Sequence, residues 1–362
     1  MDSLQTAFIQ SAELVLPAAA LDETLAFFTG QLGFRVVSVY PADDPQAISV
    51  EGHGLRLQLN RNAAGDPGTL RLVCLQPDRV AGGARGLVAP NGTRIDIIDA
   101  DPPLVLPPLQ SSLVVTRAAA GAVWHAGRAG LFYRDLLPDR LGGRYIASHI
   151  RIADAGPVAD YVHFHKVQFQ MIFCRKGWVR VVYEDQGEPF VMQEGDCVLQ
   201  PPRIRHRVLE SSAALEVVEV SCPALHETFA DPALQLPNPR LQPQRLFGGQ
   251  RFVRLVASGA RWVPWRAPGF ESRDLGIGAA TAQLASARVV RSGGATSTPA
   301  MRHDGDFLFF FVLNGSTTLH TDAGLSLVVD DCCSIPAGMD FQFASNSPDL
   351  ELLEVALPGQ PA

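Results

Sequence analysis

The sequence predicts a mainly β protein in which two similar β-barrels follow a small α+β domain. The 362 residues exceed one ordinary core, because domains usually hold about 100–150 residues. After residue 110, short β-branched and apolar runs alternate with Gly, Pro, Asp and Asn as far as the C-terminus. Within that region Leu215–Pro223 recurs as Leu350–Pro358, and Gly195–Cys197 recurs as Asp330–Cys332, both at an offset of 135 residues. A repeat at constant offset indicates two copies of one barrel.

Two proline-rich stretches divide the chain. They are Asp101–Leu109 and the segment 232–243, and neither can form a helix interior or a central strand because proline lacks the backbone donor. The sequence therefore predicts an α+β domain over 1–100, a linker over 101–119, a first barrel over 120–230, a second linker over 231–250 and a second barrel over 251–362.

The first hundred residues predict one helix among short strands. Leu21, Leu25, Phe28 and Leu32 recur with helical spacing; we expect Asp22 to cap this helix and Gly33 to end it. A strand over 12–16 precedes the helix, and alternating apolar runs over 36–39, 47–50, 55–59, 70–75 and 94–98 follow it. This order is βαβββ-like.

Composition excludes two classes of partner. Hydrophobic residues make up 47% and charged residues 19% of the chain, and the sequence lacks the roughly 20 consecutive apolar residues of a membrane span. A net charge of −7 without a basic tract argues against nucleic acid. The N-terminus lacks a secretory signal pattern, and the six cysteines form no disulfide framework. We expect a cytoplasmic protein with a small-molecule partner.

A metal-ligand pattern lies in the predicted first barrel. His163 and His165 are one residue apart and can share one face of a strand, and Gln170 and His206 follow on later strands. Gln170 stands an odd number of residues after His165, so we expect a local irregularity or a β-bulge to turn its side chain inward. This arrangement predicts one divalent metal bound by His163, His165, Gln170 and His206.

These residues resemble the motifs of the cupin superfamily. Its first motif runs from a glycine through His-x-His and an acid to a second glycine, and its second motif is Gly-Asp, a proline and a histidine. The match comprises His163, His165, Gly177, Gly195, Pro201 and His206. Two positions depart from the pattern: Gln170 replaces the usual glutamate, and Pro202-Arg203 replaces the pair expected after Pro201. A glutamine ligand brings no negative charge, so a bound divalent ion would be the stronger Lewis acid.

The resemblance implies two cupin (RmlC-like jelly-roll) barrels and a metal-dependent function. We favour Fe²⁺ and a non-haem iron dioxygenase that acts on a small organic molecule. A metal-dependent isomerase or lyase with Zn²⁺, Ni²⁺ or Mn²⁺ is the alternative, as is a bicupin that binds a small ligand without catalysis. Bicupins often assemble further, so we also expect a homodimer.

The second barrel is expected to be metal-free. Counting from its glycine, Met301, His303, Leu308 and Phe341 stand at the four ligand positions, so three of the four ligands are lost. We expect His303 to form a hydrogen-bonded pair with Asp304.

The N-terminal domain resembles the vicinal oxygen chelate, or glyoxalase-like, family more weakly. The resemblance lies in Glu13–Leu16 ahead of Leu21–Phe28, and in Ala89–Asp96. Glu13 stands where the family places a metal-binding histidine and Asp96 where it places an acid. The stretch is too short for both βαβββ modules of that family, so we expect a truncated, metal-free relative.

Four residues near the motif are candidate substrate contacts. Gln168 and Ile172 share the expected strand face of Gln170, Tyr161 precedes the first histidine, and Arg180 could pair with a carboxylate. No residue is assigned a catalytic role from the sequence.

Overall fold

The chain divides into two units. The computed structural model describes residues 9–118 and 122–359. One unit is Met1–Pro103 and the other is Leu104–Ala362, so the division falls in the first proline-rich stretch. Among the residues described, no helix combines the length and apolarity needed to cross a membrane.

The first unit has a βαβββ order followed by three more strands. Its elements are β1 (Leu14–Pro17), α1 (Leu21–Gly30), β2 (Arg35–Tyr40), β3 (Ala47–Gly52), β4 (Leu55–Asn60), β5 (Thr69–Cys74), β6 (Gly86–Val88) and β7 (Arg94–Asp99), with 3₁₀ turns at Pro77–Arg79 and Ala81–Gly83. One sheet has the order β1-β4-β3-β2 with β1 parallel to β4, and the other has the order β5-β7-β6 with β5 parallel to β7. This is the predicted small α+β domain.

Helix α1 begins one residue before the expected cap. Ala20 is the N-cap residue and has no side-chain cap, whereas Thr24 Oγ1 donates to the Ala20 carbonyl at 2.7 Å. Asp22 lies in the first turn and pairs with Arg61 at 3.2 Å. The prediction of an Asp22 cap was therefore wrong, because the helix starts at Leu21 and places Asp22 inside it. Leu21 and Phe28 are fully buried and anchor the helix to the sheet.

The second unit is almost entirely β. The strands of its first half are β8 (Val114–Thr116), β9 (His125–Ala126), β10 (Phe132–Asp135), β11 (Ile146–Ile152), β12 (Gly156–Pro157), β13 (His163–His165), β14 (Phe169–Lys176), β15 (Trp178–Tyr183), β16 (Phe190–Gln193), β17 (Cys197–Leu199), β18 (His206–Ser211), β19 (Leu215–Cys222) and β20 (Thr228–Ala230). A one-turn helix α2 (Arg140–Gly143) and a 3₁₀ turn at Arg128–Gly130 interrupt them.

The second half repeats this pattern. Its strands are β21 (Leu246–Phe247), β22 (Gln250–Arg251), β23 (Val253–Leu255), β24 (Val263–Pro264), β25 (Phe270–Asp274), β26 (Ser286–Ser292), β27 (Phe307–Asn314), β28 (Ser316–His320), β29 (Gly324–Val328), β30 (Cys332–Ser334), β31 (Gln342–Ala344) and β32 (Glu351–Leu357). A 3₁₀ turn at Ala257–Gly259 and a one-turn helix α3 (Ile277–Ala280) complete it.

Each half folds into a barrel of two facing sheets. The first barrel pairs a sheet of order β23-β17-β14-β19-β11-β10-β9 with one of order β16-β15-β18-β13-β20, and β12 adds to β18. The second barrel pairs a sheet of order β24-β25-β26-β32-β27-β30-β8 with one of order β29-β28-β31. The predicted mainly β fold of two barrels after an α+β domain is confirmed.

The two barrels exchange their leading strands. Strand β8, which precedes the first barrel, pairs with β30 of the second, and β23, which precedes the second, pairs with β17 of the first. Both strands fall at or next to the predicted linkers, so these segments are structural parts of the barrels. The exchange covers a sheet edge in each barrel.

A shared apolar core joins the barrels. Alternate residues of β14 and β27 face each other across it, and all are nearly inaccessible: Phe169, Met171, Phe173, Phe307, Phe309 and Phe311. Since side chains alternate along a strand, the residues between them point into the barrels. Phe310 therefore belongs to the interior of the second barrel, together with Phe341 and Phe343.

Candidate metal centre

Three histidines converge inside the first barrel. His163 on β13 lies directly opposite His206 on β18, and His165 follows on the same face of β13. Side-chain nitrogens of the three lie within 4.8 Å of one another. The ring centroids of His163 and His206 are 4.2 Å apart, and His163 and His206 are buried. The period-two spacing of the sequence motif thus produces the predicted cluster.

Each imidazole is oriented through Nδ1. His163 Nδ1 is 2.8 Å from the Tyr161 carbonyl and His206 Nδ1 is 3.0 Å from the Ile204 carbonyl. Because a carbonyl only accepts, both Nδ1 atoms carry the hydrogen and both Nε2 atoms have a lone pair that can accept or bind a metal. His165 Nδ1 contacts Thr228 Oγ1 at 2.9 Å. Such fixed tautomers are typical of metal-ligating histidines.

The imidazoles are held in the neutral form. Burial lowers the pKa of His163, and the nearby Arg128 charge lowers it further. Burial and the neighbouring histidines lower the pKa of His165 to about 2 and that of His206 well below its usual value. Neutral imidazole is the form that binds metal, so the site needs no deprotonation near neutral pH.

The inward-facing nitrogens accept hydrogen bonds from two side chains. Arg128 Nη2 lies 2.5 Å from His163 Nε2, and Gln200 Nε2 lies 3.0 Å from His206 Nε2. Three neutral imidazoles with lone pairs directed into one space match the donor set of a divalent transition metal. The residues present therefore fit a metal ion.

Gln170 is buried beside the histidines. Its Nε2 donates to Glu219 Oε1 at 3.2 Å, and its Oε1 accepts from Gln200 Nε2 at 3.3 Å. Glu219 also accepts from Ser221 Oγ at 3.1 Å. A carboxylate can only accept, so Glu219 fixes the amide with its nitrogen toward β19 and its carbonyl oxygen on the Gln200 side.

The expected irregularity before Gln170 is a crossing between two sheets and not a β-bulge. His165 lies on β13 of one sheet and Gln170 on β14 of the other, and residues 166–168 cross between the sheets. The register shift of β14 lies between Cys174 and Lys176, beyond Gln170. The alternation of side chains starts anew on β14, because the chain has crossed to the other sheet. Gln170 can therefore point into the barrel interior beside His165, although the two residues are an odd number of positions apart.

The histidines border a cavity of about 480 Å³. Strand register orders its walls in layers: Ser221 pairs with Gln170, Glu219 with Ile172, and Val217 with Cys174. On β15, Tyr183 lies opposite His206, and Val181 lies opposite Val208. The deeper wall is apolar and comprises Ile150, Ile152, Val179, Met192, Leu215 and Val217. The metal-ligand layer thus lies above an apolar floor, with Glu219 between them.

Residues 151–221 match the family model described as cupin domain. This segment forms a cupin domain. It contains all four predicted metal ligands, on strands β13, β14 and β18. The resemblance to the cupin superfamily, which rested on the spacing of the histidines and glycines, is confirmed for this part of the chain.

Comparison with solved structures gives matches that cover about 70% of this chain. A variant of oxalate decarboxylase from Bacillus subtilis is 11% identical, with a TM-score of 0.51 over 72% of this chain and 80% of that chain. The oxalate decarboxylase–formate complex of Lactobacillus farciminis is 14% identical, with a TM-score of 0.49 over 70% and 89%. Protein Ylba of E. coli is 10% identical, with a TM-score of 0.49 over 71% and 95%. No curated protein sequence gives a significant match.

The cupin barrel brings one of the four predicted substrate contacts to its cavity. Ile172 lines the wall opposite Glu219. Tyr161 is 48% exposed, and its ring lies 5.9 Å from that of His163, outside the group of side chains that line the cavity. What Tyr161 contributes to the site is its carbonyl, which accepts from His163.

Gln168 and Arg180 face away from the cavity. Gln168 precedes the first paired residue of β14, and its Oε1 lies 3.5 Å from Cys222 Sγ, a part of the inter-barrel core. Arg180 lies between Val179 and Val181, which line the cavity, so alternation turns it outward. It is exposed and pairs with Glu210 at 3.6 Å. Gln168 therefore does not share the strand face of Gln170, which corrects that expectation, and the carboxylate beside Arg180 is that of Glu210.

The second barrel has a filled interior where the cupin domain has its candidate metal site. Met301 bridges to Phe341 as His163 pairs with His206, which supports the counting that aligned them. Phe341, Phe310 and Leu308 pack in this interior. His303 Nε2 donates to the Ile335 carbonyl at 2.7 Å. The expected pairing with Asp304 was wrong; the backbone directly after β30 supplies the partner instead.

Several cavity residues that bear on the chemistry were not found from the sequence. They are Arg128, Tyr133, Gln200, Glu219 and His226. Glu219 lies in the repeated block Leu215–Pro223, and its counterpart at the same offset is Glu354, so an inward carboxylate in both copies was the available signal. Arg128 and Tyr133 lie before the motif on the β9–β10 hairpin and carry no local signal.

A second group of possible ligands lies between the barrels. Donor atoms of His149, Glu216 and Asp330 are within 4.8 Å of one another. Arg134 Nη2 lies 3.1 Å from His149 Nδ1, and Arg175 Nε lies 3.1 Å from Asp330 Oδ1. The hydrogen bond with His149 lowers the pKa of Glu216. Two guanidinium groups already supply the positive charge, so this group is a polar link between barrels.

The two N-terminal acids are engaged with arginines. Glu13 pairs with Arg56 at 3.3 Å, and Asp96 pairs with Arg71 at 3.8 Å. Both pairs are partly exposed. The glyoxalase-like resemblance and the metal-free assignment of this domain stay predictions.

Proposed function

We propose that this chain is a metal-dependent cupin enzyme, and specifically a non-haem iron dioxygenase that acts on a small organic molecule. The observation that supports this most is the convergence of three neutral imidazoles at one end of an apolar cavity. His163, His165 and His206 would hold the metal, with the carbonyl oxygen of Gln170 as fourth ligand.

The neutral ligand set favours oxygen chemistry. Three imidazoles and an amide leave the full charge of a divalent ion uncompensated by its own ligands. Iron(II) held there would keep coordination positions open for dioxygen and substrate. The apolar floor formed by Ile150, Val179 and Val217 suits an apolar substrate body and excludes water from the reacting end.

The remaining residues position the ligands and the substrate. Glu219 holds the Gln170 amide through its Nε2 and keeps its carbonyl oxygen available. Tyr133 lines the cavity, where burial and then the Glu219 carboxylate raise its pKa to about 12. Its hydroxyl therefore keeps its proton near neutral pH and can donate a hydrogen bond to a substrate oxygen.

The first experiment is elemental analysis of full-length protein purified without added metal. We expect about one metal per chain in the wild type, loss in His163→Ala and in His206→Ala, and retention in His303→Ala, the matched histidine of the second barrel. Tryptophan fluorescence verifies that each variant is folded. Metal retained in both ligand variants would overturn the assigned site.

Oxygen uptake tests the reaction. Protein loaded anaerobically with iron is offered phenolic and diketone compounds, and substrate-dependent oxygen consumption that His206→Ala abolishes supports the dioxygenase. If the metal depends on the histidines and the substrate is turned over without oxygen consumption, the protein is a metal-dependent isomerase or lyase and not a dioxygenase.

A further inference from the structure

Arg128 donates a hydrogen bond to the same His163 nitrogen that would bind the metal. Arg128 Nη2 lies 2.5 Å from His163 Nε2, and Arg128 Nη1 lies 2.5 Å from Asp160 Oδ1. The Nε2 lone pair can serve the guanidinium or a metal ion, but not both. When a metal takes it, Arg128 Nη2 is left with a hydrogen directed toward the metal side of the cavity.

Asp160 keeps the guanidinium close when this exchange occurs. The Asp160 side chain is 2% exposed, and its Oδ2 accepts from the backbone N–H of Val208 at 2.9 Å. Val208 is paired with Val181 in the sheet that carries His206, so the carboxylate is tied to the ligand strand itself. A charged pair with one oxygen anchored in this way holds Arg128 within reach of an oxygen atom bound beside His163.

The charges around the cavity leave room for one negative group. Arg128 and Asp160 neutralise each other, and the Glu219 carboxylate compensates one of the two charges that a divalent ion would bring. Arg151 also borders the cavity, but its guanidinium is stacked on Trp124 at 4.2 Å, on the opposite face of β11 from Ile150. One positive charge of the divalent ion would therefore remain unbalanced, and an unbalanced charge is costly in a buried site. A ligand with one negative charge would balance it.

The apolar walls of the cavity determine which body the ligand can have. Below the layer of Gln170 come Ile172 and Glu219, and below these the walls are Ile150, Val179 and Val217. A ligand whose anionic group lies at the metal would extend its body into this apolar part. A small dianion with a polar body would leave the floor empty and bring one negative charge too many.

We propose that the substrate is a monoanion with an apolar body, a small aromatic or branched monocarboxylate whose carboxylate is bound jointly by the metal and by Arg128. This inference rests on the proposed metal site and assigns Arg128 as the residue that selects the charge of the substrate.

The test measures binding to the zinc-loaded full chain by calorimetry. Zinc performs no redox chemistry, so the result is independent of whether the protein is a dioxygenase. The probes are benzoate, its neutral isostere benzamide, and oxalate, a dianion without an apolar body. We expect benzoate to bind at least tenfold more tightly than either of the other two. Equal affinities for benzoate and benzamide, or tighter binding of oxalate, would overturn the proposal.

Two arginine variants distinguish binding of the carboxylate by Arg128 from a general effect of the protein's positive charge. Arg128→Gln should weaken benzoate binding at least tenfold, leave benzamide binding unchanged and raise the affinity for zinc, because a competitor for His163 is removed. Arg180→Gln, on the outer face of β15, is the matched control and should change none of these values. Unchanged benzoate binding by Arg128→Gln sinks the proposal, whereas failure of the wild type to bind zinc at the histidines refutes the proposed function and this inference together.

Discussion

His165 should make the metal-free cupin barrel sensitive to acid. Burial, then the charges of His163, His226 and Arg128, lower its pKa from 6.5 to about 2. Below about pH 6.5 the unfolded chain therefore binds a proton at this residue that the folded chain does not. The free energy of unfolding then falls as the pH falls, and its His165 share is fully present only above pH 6.5.

The magnitude follows from that window. Each pH unit between the two pKa values changes the free energy of unfolding by about 1.4 kcal/mol per group. Lowering the pH from 7 to 5 covers about 1.5 units of the window, so His165 alone should cost about 2 kcal/mol. His165→Gln removes the titrating group and should reduce the acid-induced loss by that amount.

The assay can be confined to the unit that contains the barrels. All four tryptophans lie within Leu104–Ala362, at positions 124, 178, 262 and 265, so their fluorescence reports the unfolding of this unit in urea. Chelated wild type, His165→Gln and the control His320→Gln, whose histidine is exposed on β28, are compared at pH 7 and pH 5. The reasoning is refuted if His165→Gln loses as much stability as the wild type between the two pH values.

Three further outcomes follow from the cavity and its neighbours. Ile172→Phe, which introduces the residue that the second barrel carries there, should leave metal content unchanged and weaken benzoate binding at least tenfold by calorimetry; retained binding would contradict the cavity assignment. Gln170→Glu should destabilise the metal-free protein in urea because it faces Glu219, and the added change Glu219→Gln should restore stability; an unaltered single variant would argue against their contact. Phe310→Ala in the filled barrel should cost about 3–5 kcal/mol of unfolding free energy without loss of metal, and metal loss would show that the barrels are coupled.

The histidine cluster could be predicted because it depends on local geometry. Side chains on a strand alternate, so His163 and His165 had to share a face, and the family spacing placed His206 on a later strand. The repeat at an offset of 135 residues similarly predicted two barrels. These inferences needed spacing alone.

What the sequence left open depends on contacts between distant strands. Arg128 reaches His163 from a hairpin that precedes the motif by more than thirty residues, and no local pattern announces that approach. Gln168 was misplaced because the crossing between sheets and the start of β14 decide which way its side chain points. The sequence pattern predicts that side chains alternate along a strand, but it does not show at which residue the strand begins.

The duplicated barrels also show how little separates a metal site from a structural core. Glu219 and Glu354 occupy the same place on the equivalent strands β19 and β32, where they pair with Ile172 and Phe310. Glu219 orients a neutral amide beside an open cavity, whereas Glu354 is buried against Arg266 at 2.8 Å. In the second barrel the charge is thus neutralised within the protein, and aromatic side chains fill the space. In the cupin domain the equivalent carboxylate has no arginine hydrogen-bonded to it among the contacts described, so its charge remains available to balance a cation bound from solution.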